Sequence, residues 1–321
     1  MIEGVRGTRS IEGLDAQKYE HIVEEFYAVY KDLGFELIKL PILEKEELFT
    51  RTTGEFTDIV TKQMYQFKDK GGRNLVLRPE GTAGVMRNFI EKKYKDQKKY
   101  IYSEQMYRYE RPQKGRYREF HQVGAEIIGS NNNNASANCV EILRGSVNFL
   151  QNLNVEFSLI INTIGISEDR DKYMKTLEKY FYSNKSKLSD ESVKRIDTNP
   201  LRILDSKEDS DIEVVSGAPS FKEFISNESL NHYSKIKSML DKFDIEYTEN
   251  EYLIRGLDYY NDFTFEMHPI SKSGSQYALG GGGQYDNLSS LISNKQINGI
   301  GVAFGVDRLI ELIEMDNTNN E

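Results

Sequence analysis

Two periods of hydrophobic and polar residues run through the chain, and together they predict helices as well as strands. From Asp15 to Leu33 the apolar residues recur at helical spacing and Gly34 follows as a stop signal, so this segment is predicted to be an amphipathic helix. The next segment, Phe35 to Leu43, is predicted to form one strand, with Pro41 at an edge or at the strand's end. The pattern therefore favours a helix followed by a strand.

Longer periodic segments follow in the middle of the chain. Tyr100 to Glu110 and Glu119 to Ile128 are predicted to be two strands joined by a basic loop. Ala135 to Leu153 has a helical pattern, and Val155 to Asn162 alternates as a strand does. The segment from about Ser167 to Leu240 is highly charged and mostly helical in pattern, which is typical of an insertion.

Strand signals return from Tyr252 onward. A glycine run, Gly280 to Gly283, is interpreted as a loop where another group approaches the backbone closely. A strand and then a helix are predicted within Asn298 to Glu314. The glycine run matches neither the P-loop pattern nor GxGxxG after a strand, so these two nucleotide-binding motifs are excluded.

Length and composition narrow the class of protein. A chain of 321 residues corresponds to one large domain or two unequal ones, and 38% hydrophobic residues suffice for a globular fold. The single cysteine, Cys139, excludes an internal disulfide and a cysteine-built zinc site, and the four histidines lack metal-ligand spacing, so no metal site is expected. With no apolar run of membrane-spanning length and no signal segment after Met1, a cytoplasmic protein without membrane contact is predicted.

The net charge of −9 argues against binding nucleic acid by bulk electrostatics, yet one segment is strongly basic. The run from Arg108 to Arg118 contains four arginines and Lys114 against one acid, Glu110. Such density repels itself unless an anion compensates it, and the planar guanidinium of arginine suits phosphate. A solvated loop is the alternative interpretation of this run.

Strand alternation shifts the balance toward a ligand. Side chains two residues apart share one face of a strand, so Arg108 lies beside Glu110. The following strand presents one further set of mixed character: Phe120, Gln122, Gly124 and Glu126. Neither set is apolar enough for a core, whereas an aromatic ring could stack on a base and the carboxylates and amide could accept N–H groups. These two strands are therefore predicted to form a binding floor.

Three further sets of residues are candidates for binding. Glu80, Gly81 and Thr82 stand at the start of a predicted helix, where Glu80 could bind an α-ammonium group or only cap the helix, and both interpretations stay open. Arg255, Asp258, Tyr259 and Tyr260 precede an alternating strand; a hairpin with aromatic core residues is the alternative, and it leaves the arginine unexplained.

A cation in the first turn of the last helix is the third candidate. Arg308 would meet the positive end of the helix dipole there, which is unfavourable by up to about 1 kcal/mol unless an anion lies beside it. A bound phosphate would reverse the sign. A short ion pair with Asp307 or Glu311 is the alternative.

These segments together resemble one family, the histidyl-tRNA synthetases of the class II aminoacyl-tRNA synthetases. GFELIKLP (Gly34 to Pro41), the run from Met106 to Gly129, and GVAFGVDRL (Gly301 to Leu309) look like class II motifs 1, 2 and 3. RGLDYY and GGGQYD look like the two histidine-specific signatures, and NPLRILDSK (Asn199 to Lys207) is also similar to the family. The resemblance extends over nearly the whole chain.

The resemblance implies an α+β fold, with an antiparallel sheet flanked by helices and a dimer formed through motif 1. The class II catalytic domain is expected to comprise residues 1–161 and 249–321, and residues 162–248 to form a helical insertion. The family usually continues into an anticodon-binding domain, which is expected to be absent here because the sequence ends soon after motif 3.

The resemblance also implies roles for individual residues. Arg108 would hold the α-phosphate of ATP, Glu110 and Phe120 the adenine, and Arg116 and Arg308 the β- and γ-phosphates. L-histidine would be bound by Glu80, Gly81, Thr82, Gln122, Glu126, Arg255, Tyr259 and Tyr260, with Glu126 and Tyr260 reading the imidazole. Arg255 would be the distinctive catalytic arginine. Mg²⁺ is expected with ATP, but no protein ligand to it is assigned.

The function implied is activation of L-histidine with ATP and transfer of histidine to the acceptor end of tRNA(His). Ser10, Gln284 and Asp307 stand where the family commonly has Asp, Arg and Glu, and none of them is assigned to the chemistry. The main alternative is a histidine-sensing regulatory subunit of ATP phosphoribosyltransferase, although a sensor has no use for a triphosphate site. A ligase that adenylates histidine for an acceptor other than tRNA is a third hypothesis, and the sequence does not separate it from the first.

Overall fold

The computed structural model describes most of the chain. The ranges are 2–53, 57, 59–113, 115–130, 134–204, 206–253, 255, 257, 259–270 and 277–313. No helix within these ranges combines the length and the apolar character that crossing a bilayer requires.

A large sheet organises the described part of the chain. Its strands, in spatial order, are β1 (Glu36–Leu37), β5 (Lys98–Tyr107), β6 (Glu119–Ser130), β11 (Asn298–Gly305), β10 (Gly280–Gln284), β9 (Asn261–Pro269), β7 (Phe157–Thr163) and β8 (Thr248–Glu249). The six strands from β5 to β7 pair antiparallel, and only the short edge strands β1 and β8 pair parallel with their neighbours. The α+β class with an antiparallel sheet flanked by helices is confirmed.

Apolar helices cover one face of this sheet. They are α1 (Gly13–Asp32), α4 (Ala135–Asn152), α8 (Asn227–Lys242) and α10 (Val306–Ile310). Phe26 and Tyr30 of α1 are fully buried against Phe149 of α4, and the Tyr30 hydroxyl donates to the carbonyl of Ile142 at 2.9 Å. Because these helices cover this face, the polar positions of the strands are left for the other.

The predicted strand from Phe35 to Leu43 is wrong, because the chain breaks there into two strands that belong to different sheets. After β1, the carbonyls of Leu40 and Pro41 accept hydrogen bonds from Arg78 Nη1 at 2.6 and 3.1 Å instead of pairing in a ladder. The chain then enters a three-stranded sheet of β2 (Leu43–Lys45), β4 (Asn74–Leu77) and β3 (Gln66–Lys68). Proline has no N–H to donate, which favours a break at this position.

Three shorter helices complete this half of the molecule. They are α2 (Glu46–Thr52), α3 (Thr82–Glu91) and α9 (Leu288–Ser293), and a π-helical turn covers Ile59–Gln63. They pack against one another, and α3 also packs against β6. The start of α3 lies directly after Glu80 and Gly81, as the sequence predicted.

The charged middle segment is mostly helical, as predicted. It contains α5 (Ser167–Ser183), α6 (Asp190–Arg195) and α7 (Asp209–Val215), with 3₁₀ turns at Lys185–Lys187, Pro200–Ile203 and Phe221–Glu223, before α8. Tyr233, Ile236 and Leu240 of α8 belong to the core of the main sheet, so this helix packs with the sheet helices. The division of the chain at residues 162 and 248 stays a prediction.

The glycine run, interpreted as a loop, is strand β10 in the middle of the main sheet. Its backbone pairs with β9 on one side and β11 on the other. The prediction failed because glycine has low strand propensity, whereas here neighbouring groups leave no space for side chains. A Cβ on Gly282 would lie 1.9 Å from the carbonyl oxygen of Gly301.

Candidate active site

A cavity of about 480 Å³ lies on the sheet face that the core helices leave open. Twelve of the thirteen residues predicted to form the site line it: Glu80, Gly81, Thr82, Arg108, Glu110, Arg116, Phe120, Gln122, Arg255, Tyr259, Tyr260 and Arg308. The thirteenth, Glu126, is fully buried and bonded to Thr82. Lys114 and Asp258 lie outside the described residues.

The floor of the cavity is built from paired strands. In the register of β5, β6 and β11, Gln122 lies opposite Glu104 and Gly305, and Gly124 lies opposite Tyr102 and Ala303. A Cβ on Gly124 would come within 2.2 Å of Tyr102 Cζ. Glycine on β6 therefore makes room for a tyrosine ring from β5, one pocket residue that the sequence did not indicate.

Glu80 caps helix α3 and faces the cavity at the same time. Its carboxylate accepts hydrogen bonds from the amides of Thr82 at 2.7 Å and Ala83 at 2.9 Å, and from the Tyr259 hydroxyl at 3.3 Å. Burial raises the pKa of Glu80, while the two amide bonds act in the opposite direction. The capping interpretation is thus satisfied, and the carboxylate still lines the cavity, where it could meet an ammonium group.

Glu126 is the most deeply buried acid of the site. Its two oxygens accept from Thr82 Oγ1 at 2.7 Å and from the Tyr285 hydroxyl at 2.5 Å. Burial raises the pKa of Glu126 to about 8, although both hydroxyl bonds favour the charged form. A Cβ on Gly301 would lie 1.6 Å from Glu126 Oε2, so glycine on β11 creates the space for this carboxylate.

Arg108 leaves the end of strand β5 and lies over an aromatic ring. Its guanidinium carbon is 5.1 Å from the centre of the Phe120 ring, and Nε donates to the carbonyl of Pro79 at 2.9 Å. Nη1 is 3.9 Å from a carboxylate oxygen of Glu110, too long for a hydrogen bond. Burial and the nearby charge of Arg255 lower the pKa of Arg108, and Glu110 opposes this shift.

Two more arginines lie at the same end of the cavity, around Tyr277. The guanidinium carbon of Arg116 is 4.5 Å from the centre of that ring and that of Arg308 is 5.5 Å away. Arg308 donates to the carbonyl of Ala278 at 2.5 Å. Burial and repulsion from Arg116 and Arg108 lower the pKa of Arg308. Here cations crowd together, an arrangement that a polyanion would relieve.

Asp307 does not neutralise its neighbour Arg308. Its Oδ1 accepts from Arg9 at 3.0 Å and its Oδ2 from the amide of His121 at 2.8 Å. These bonds hold the pKa of Asp307 below its usual value although burial opposes them. Of the two ion pairs proposed from the sequence, the one with Asp307 is therefore replaced by a contact between the N-terminal segment and motif 2.

Arg255 joins the two ends of the cavity. Its Nη1 hydrogen-bonds Glu266 of β9, and its guanidinium carbon lies 5.8 Å from the centre of the Tyr260 ring. A Cβ on Gly281 would lie 2.7 Å from Arg255 Nη1, so β10 must be bare for the arginine to fit. The arginine comes from a segment far in sequence from Arg108 and Arg308, and the fold brings all three to one cavity.

Several pocket residues were not predicted. Tyr102, Lys207, Glu266, His268 and Tyr277 all line the cavity. Glu266 lies between the buried Phe265 and Met267 of β9, so strand alternation could have indicated that it faces away from the core. Tyr277 gave no signal, since it lies alone between a polar stretch and the glycine run.

Comparison with known proteins identifies the family that carries this geometry. A sequence model described as histidyl-tRNA synthetase matches residues 7–309. The chain belongs to the histidyl-tRNA synthetase family. It is 41% identical over 320 residues to the histidine–tRNA ligase of Thermosipho melanesiensis, covering 98% of this chain and 75% of that protein. It is 42% identical over 303 residues to the histidine–tRNA ligase of Buchnera aphidicola, covering 94% and 70%.

A solved structure supports the same assignment. The fold superposes on apo histidyl-tRNA synthetase of S. aureus with a TM-score of 0.78 and 32% identity, covering all of this chain and 77% of the other. The similarity therefore extends from motif 1 through the middle segment to motif 3. The resemblance inferred from the motifs is confirmed, and the chain is a class II aminoacyl-tRNA synthetase by family.

Proposed function

We propose that this chain activates L-histidine with ATP, forming histidyl-adenylate and pyrophosphate, and then transfers histidine to the 3′ end of tRNA(His). One observation carries the proposal. Guanidinium groups from three distant segments, at Arg108, Arg255 and Arg308, line the same cavity as a second set of residues around Thr82 and Tyr260. The buried carboxylate of Glu126 is hydrogen-bonded to Thr82 of this second set. The first set fits a triphosphate and the second fits an amino acid with a hydrogen-bonding side chain.

ATP is proposed to bind at the arginine end. Phe120 would stack on the adenine and Glu110 would accept a hydrogen bond from the exocyclic amine. Arg108, already lying over the Phe120 ring, would reach the α-phosphate. Arg116 and Arg308 flank Tyr277 farther along and would hold the β- and γ-phosphates. A planar guanidinium can form two parallel hydrogen bonds to such oxygens.

Histidine is proposed to bind at the acidic end. Glu80, Thr82 and Gln122 would hold the α-ammonium, in a pocket closed by Tyr259. Glu126 and Tyr260 would each hydrogen-bond a ring nitrogen of the imidazole. A pocket that hydrogen-bonds its substrate strongly rejects analogues that cannot form those hydrogen bonds, because its buried polar atoms are then left unpaired.

The chemistry follows from bringing two anions together. A carboxylate oxygen of histidine attacks the α-phosphorus in line, a new P–O bond forms, and the bond to the pyrophosphate oxygen breaks with that oxygen keeping the electron pair. Arg108 and Arg255 would stabilise the charge that builds on the α-phosphate. Positioning and fixed positive charge therefore supply most of the catalysis.

Mg²⁺ is expected to accompany ATP, since it binds through substrate phosphates and keeps several waters. Within the described ranges, no three His, Cys, Asp or Glu side chains are grouped in a way that could hold a metal ion. The triphosphate oxygens and water would then supply most of the ligands to Mg²⁺. The positive charge of the ion would add to that of the arginines.

A homodimer in the cytoplasm is also proposed. Motif 1 and the small sheet expose apolar side chains: Leu37 at 47%, Ile42 at 43%, Leu43 at 50% and Phe67 at 42%. Exposed apolar groups close together mark interaction surfaces, and a second copy is the partner that motif 1 provides in this class. The acceptor end of tRNA(His) is proposed to enter from the open side of the cavity.

Exchange of labelled pyrophosphate into ATP, with and without histidine, tests the first step, and charging of tRNA(His) tests the second. We expect exchange only with histidine. Histidine binding without exchange would contradict the proposal and favour the regulatory alternative. Exchange without tRNA charging would contradict the second step and favour a ligase with another acceptor.

A further inference from the structure

One partly buried carboxylate of the cavity wall has no part in the binding roles above. Glu266 projects from β9 on the cavity face, where one oxygen bonds Arg255 Nη1 and the other accepts from His268 Nε2 at 2.8 Å. We propose that Glu266 is a positioning residue, which holds the Arg255 guanidinium at the α-phosphate position. This inference rests on the proposed function, because it gives Arg255 its task.

The backbone alone does not fix Arg255. Arg255 belongs to no helix or strand of the described chain. The side chain then extends across the bare backbone of Gly281 to reach Glu266. Over such a span, a long flexible side chain keeps one orientation only if its head is held. Glu266 holds one end of the guanidinium, Nη1.

The contact with Glu266 leaves part of the guanidinium for a ligand. Nε of Arg255 is buried and has no hydrogen-bond acceptor among the described residues. An unpaired buried N–H is costly, so it marks a position where an acceptor from outside the protein would bind. Nη1 is held by Glu266, and Arg255 lines the same cavity as Arg108 and Tyr260. A phosphate bound in that cavity could therefore supply the missing acceptor.

Charge also requires a carboxylate at this place. Arg108 and Arg255 are close enough that the charge of Arg255 lowers the pKa of Arg108. The Glu266 carboxylate offsets this repulsion by its hydrogen bond to Arg255. The pKa of Glu266 lies below its usual value because Arg255 and His268 outweigh its burial, so the carboxylate is charged near neutral pH.

His268 holds the carboxylate in turn. An ionised carboxylate only accepts hydrogen bonds, so His268 Nε2 must donate to it. Glu266 and His268 are two residues apart on β9 and therefore share one face of the strand. The three side chains form a chain of contacts in which each fixes the next, and its last member, Arg255, is the one that faces the reacting phosphate.

The test is a double-mutant cycle measured by histidine-dependent pyrophosphate exchange. In the wild-type background we expect Glu266→Ala to lower kcat by about 10²-fold while KM for ATP changes little, since misplacing a catalytic group by about 1 Å costs that much. Glu266→Gln keeps an acceptor and the shape but loses the charge, so about a tenfold loss is expected. In an Arg255→Ala background, Glu266→Ala should add almost nothing, because its partner is already gone.

Two results would overturn the inference. One is a loss from Glu266→Ala that multiplies with the loss from Arg255→Ala, because Glu266 would then act on its own. The other is a kcat within about twofold of wild type, which leaves no positioning role. Glu249→Gln is the matched control, since Glu249 pairs with Lys237 at 3.0 Å away from the cavity. A wild-type chain without exchange activity would instead refute the proposed function, so the two failures are distinguishable.

Discussion

The two ends of the cavity satisfy their charges in opposite ways. At the histidine end, Glu126 is already bonded on both oxygens, by Thr82 and Tyr285. At the triphosphate end, Arg308 meets a carbonyl oxygen and Arg116 an aromatic ring, and the Glu110 carboxylate is too far from Arg108 for a hydrogen bond. One end is complete without its ligand, whereas the other is left positive.

The difference teaches how the site divides selectivity and catalysis. Rigid, fully bonded groups discriminate between amino acids, because any ligand must match a geometry that is already fixed. Under-neutralised cations attract a polyanion and stabilise charge as it moves during the reaction. The pKa shifts express the same contrast: burial raises that of Glu126, while burial and mutual repulsion lower those of Arg108 and Arg308.

The largest effect is expected where the two ends meet. Arg255→Ala should lower histidine-dependent pyrophosphate exchange by about 10²–10³-fold, because a fixed charge at the reacting phosphate is lost. Circular dichroism should show an unchanged fold. Arg144→Ala is the control, since Arg144 lies over the Phe243 ring outside the cavity. Near-normal exchange in the Arg255 variant would remove its catalytic role.

A smaller effect is expected at the histidine end, and it should appear in one constant only. Glu126→Ala should raise KM for histidine by roughly 10- to 100-fold, because a buried polar group loses its hydrogen-bond partner, and it should leave KM for ATP nearly unchanged. Steady-state exchange at varied histidine and varied ATP gives both constants. An equal rise in both would mean that the two ends are not separate.

A single substitution at the triphosphate end should weaken ATP binding less, because several arginines contribute to it. Arg308→Ala is expected to raise KM for ATP by about tenfold, and Arg308→Lys should recover only part of this, since a lysine lacks the planar fork. The effect should shrink as salt is raised, because screening weakens all charge attraction there. A loss confined to KM for histidine would contradict the assignment.

The smallest effect concerns stability and pH. Because the pKa of Glu126 is raised to about 8, its protonated form is favoured by folding, and that stability is present at low pH and lost as pH rises through about 8. Glu126→Gln cannot ionise, so it should gain in stability relative to wild type between pH 5 and 9, on the order of 1 kcal/mol or more. Urea unfolding at three pH values measures this gain. A difference in unfolding free energy that does not change with pH would contradict the raised pKa of Glu126.

Much of this arrangement could be predicted from local signals. Alternation placed Phe120, Gln122 and Glu126 on one face of β6, because a strand has a period of two. It also paired Arg108 with Glu110, but β5 ends at Tyr107, so these two residues reach the cavity from beyond the strand. The motifs added Arg255 and Arg308, which no local pattern could place near Arg108. Whether those distant segments meet depends on the order of strands in the sheet, which short-range periodicity does not contain.

The wrong strand prediction and the unpredicted pocket residue Glu266 have physical causes of the same kind. Phe35 to Leu43 looked like one strand, but the buried guanidinium of Arg78, distant in sequence, takes the carbonyls of Leu40 and Pro41. Glu266 looked like an ordinary polar strand residue, and only its contact with Arg255 gives it meaning. In both cases a long-range polar contact decided the outcome.

Strand β10 limits how this protein can vary. A methyl group at Gly280 would lie 2.4 Å from Phe304 Cδ1, and one at Gly283 would lie 2.6 Å from the carbonyl oxygen of Phe263. A side chain at Gly281 would collide with Arg255, and one at Gly282 with the backbone of β11. A stretch without any reactive group thus accepts no side chain, and a screen for inactive variants should find a dense cluster at four residues that contribute only empty space.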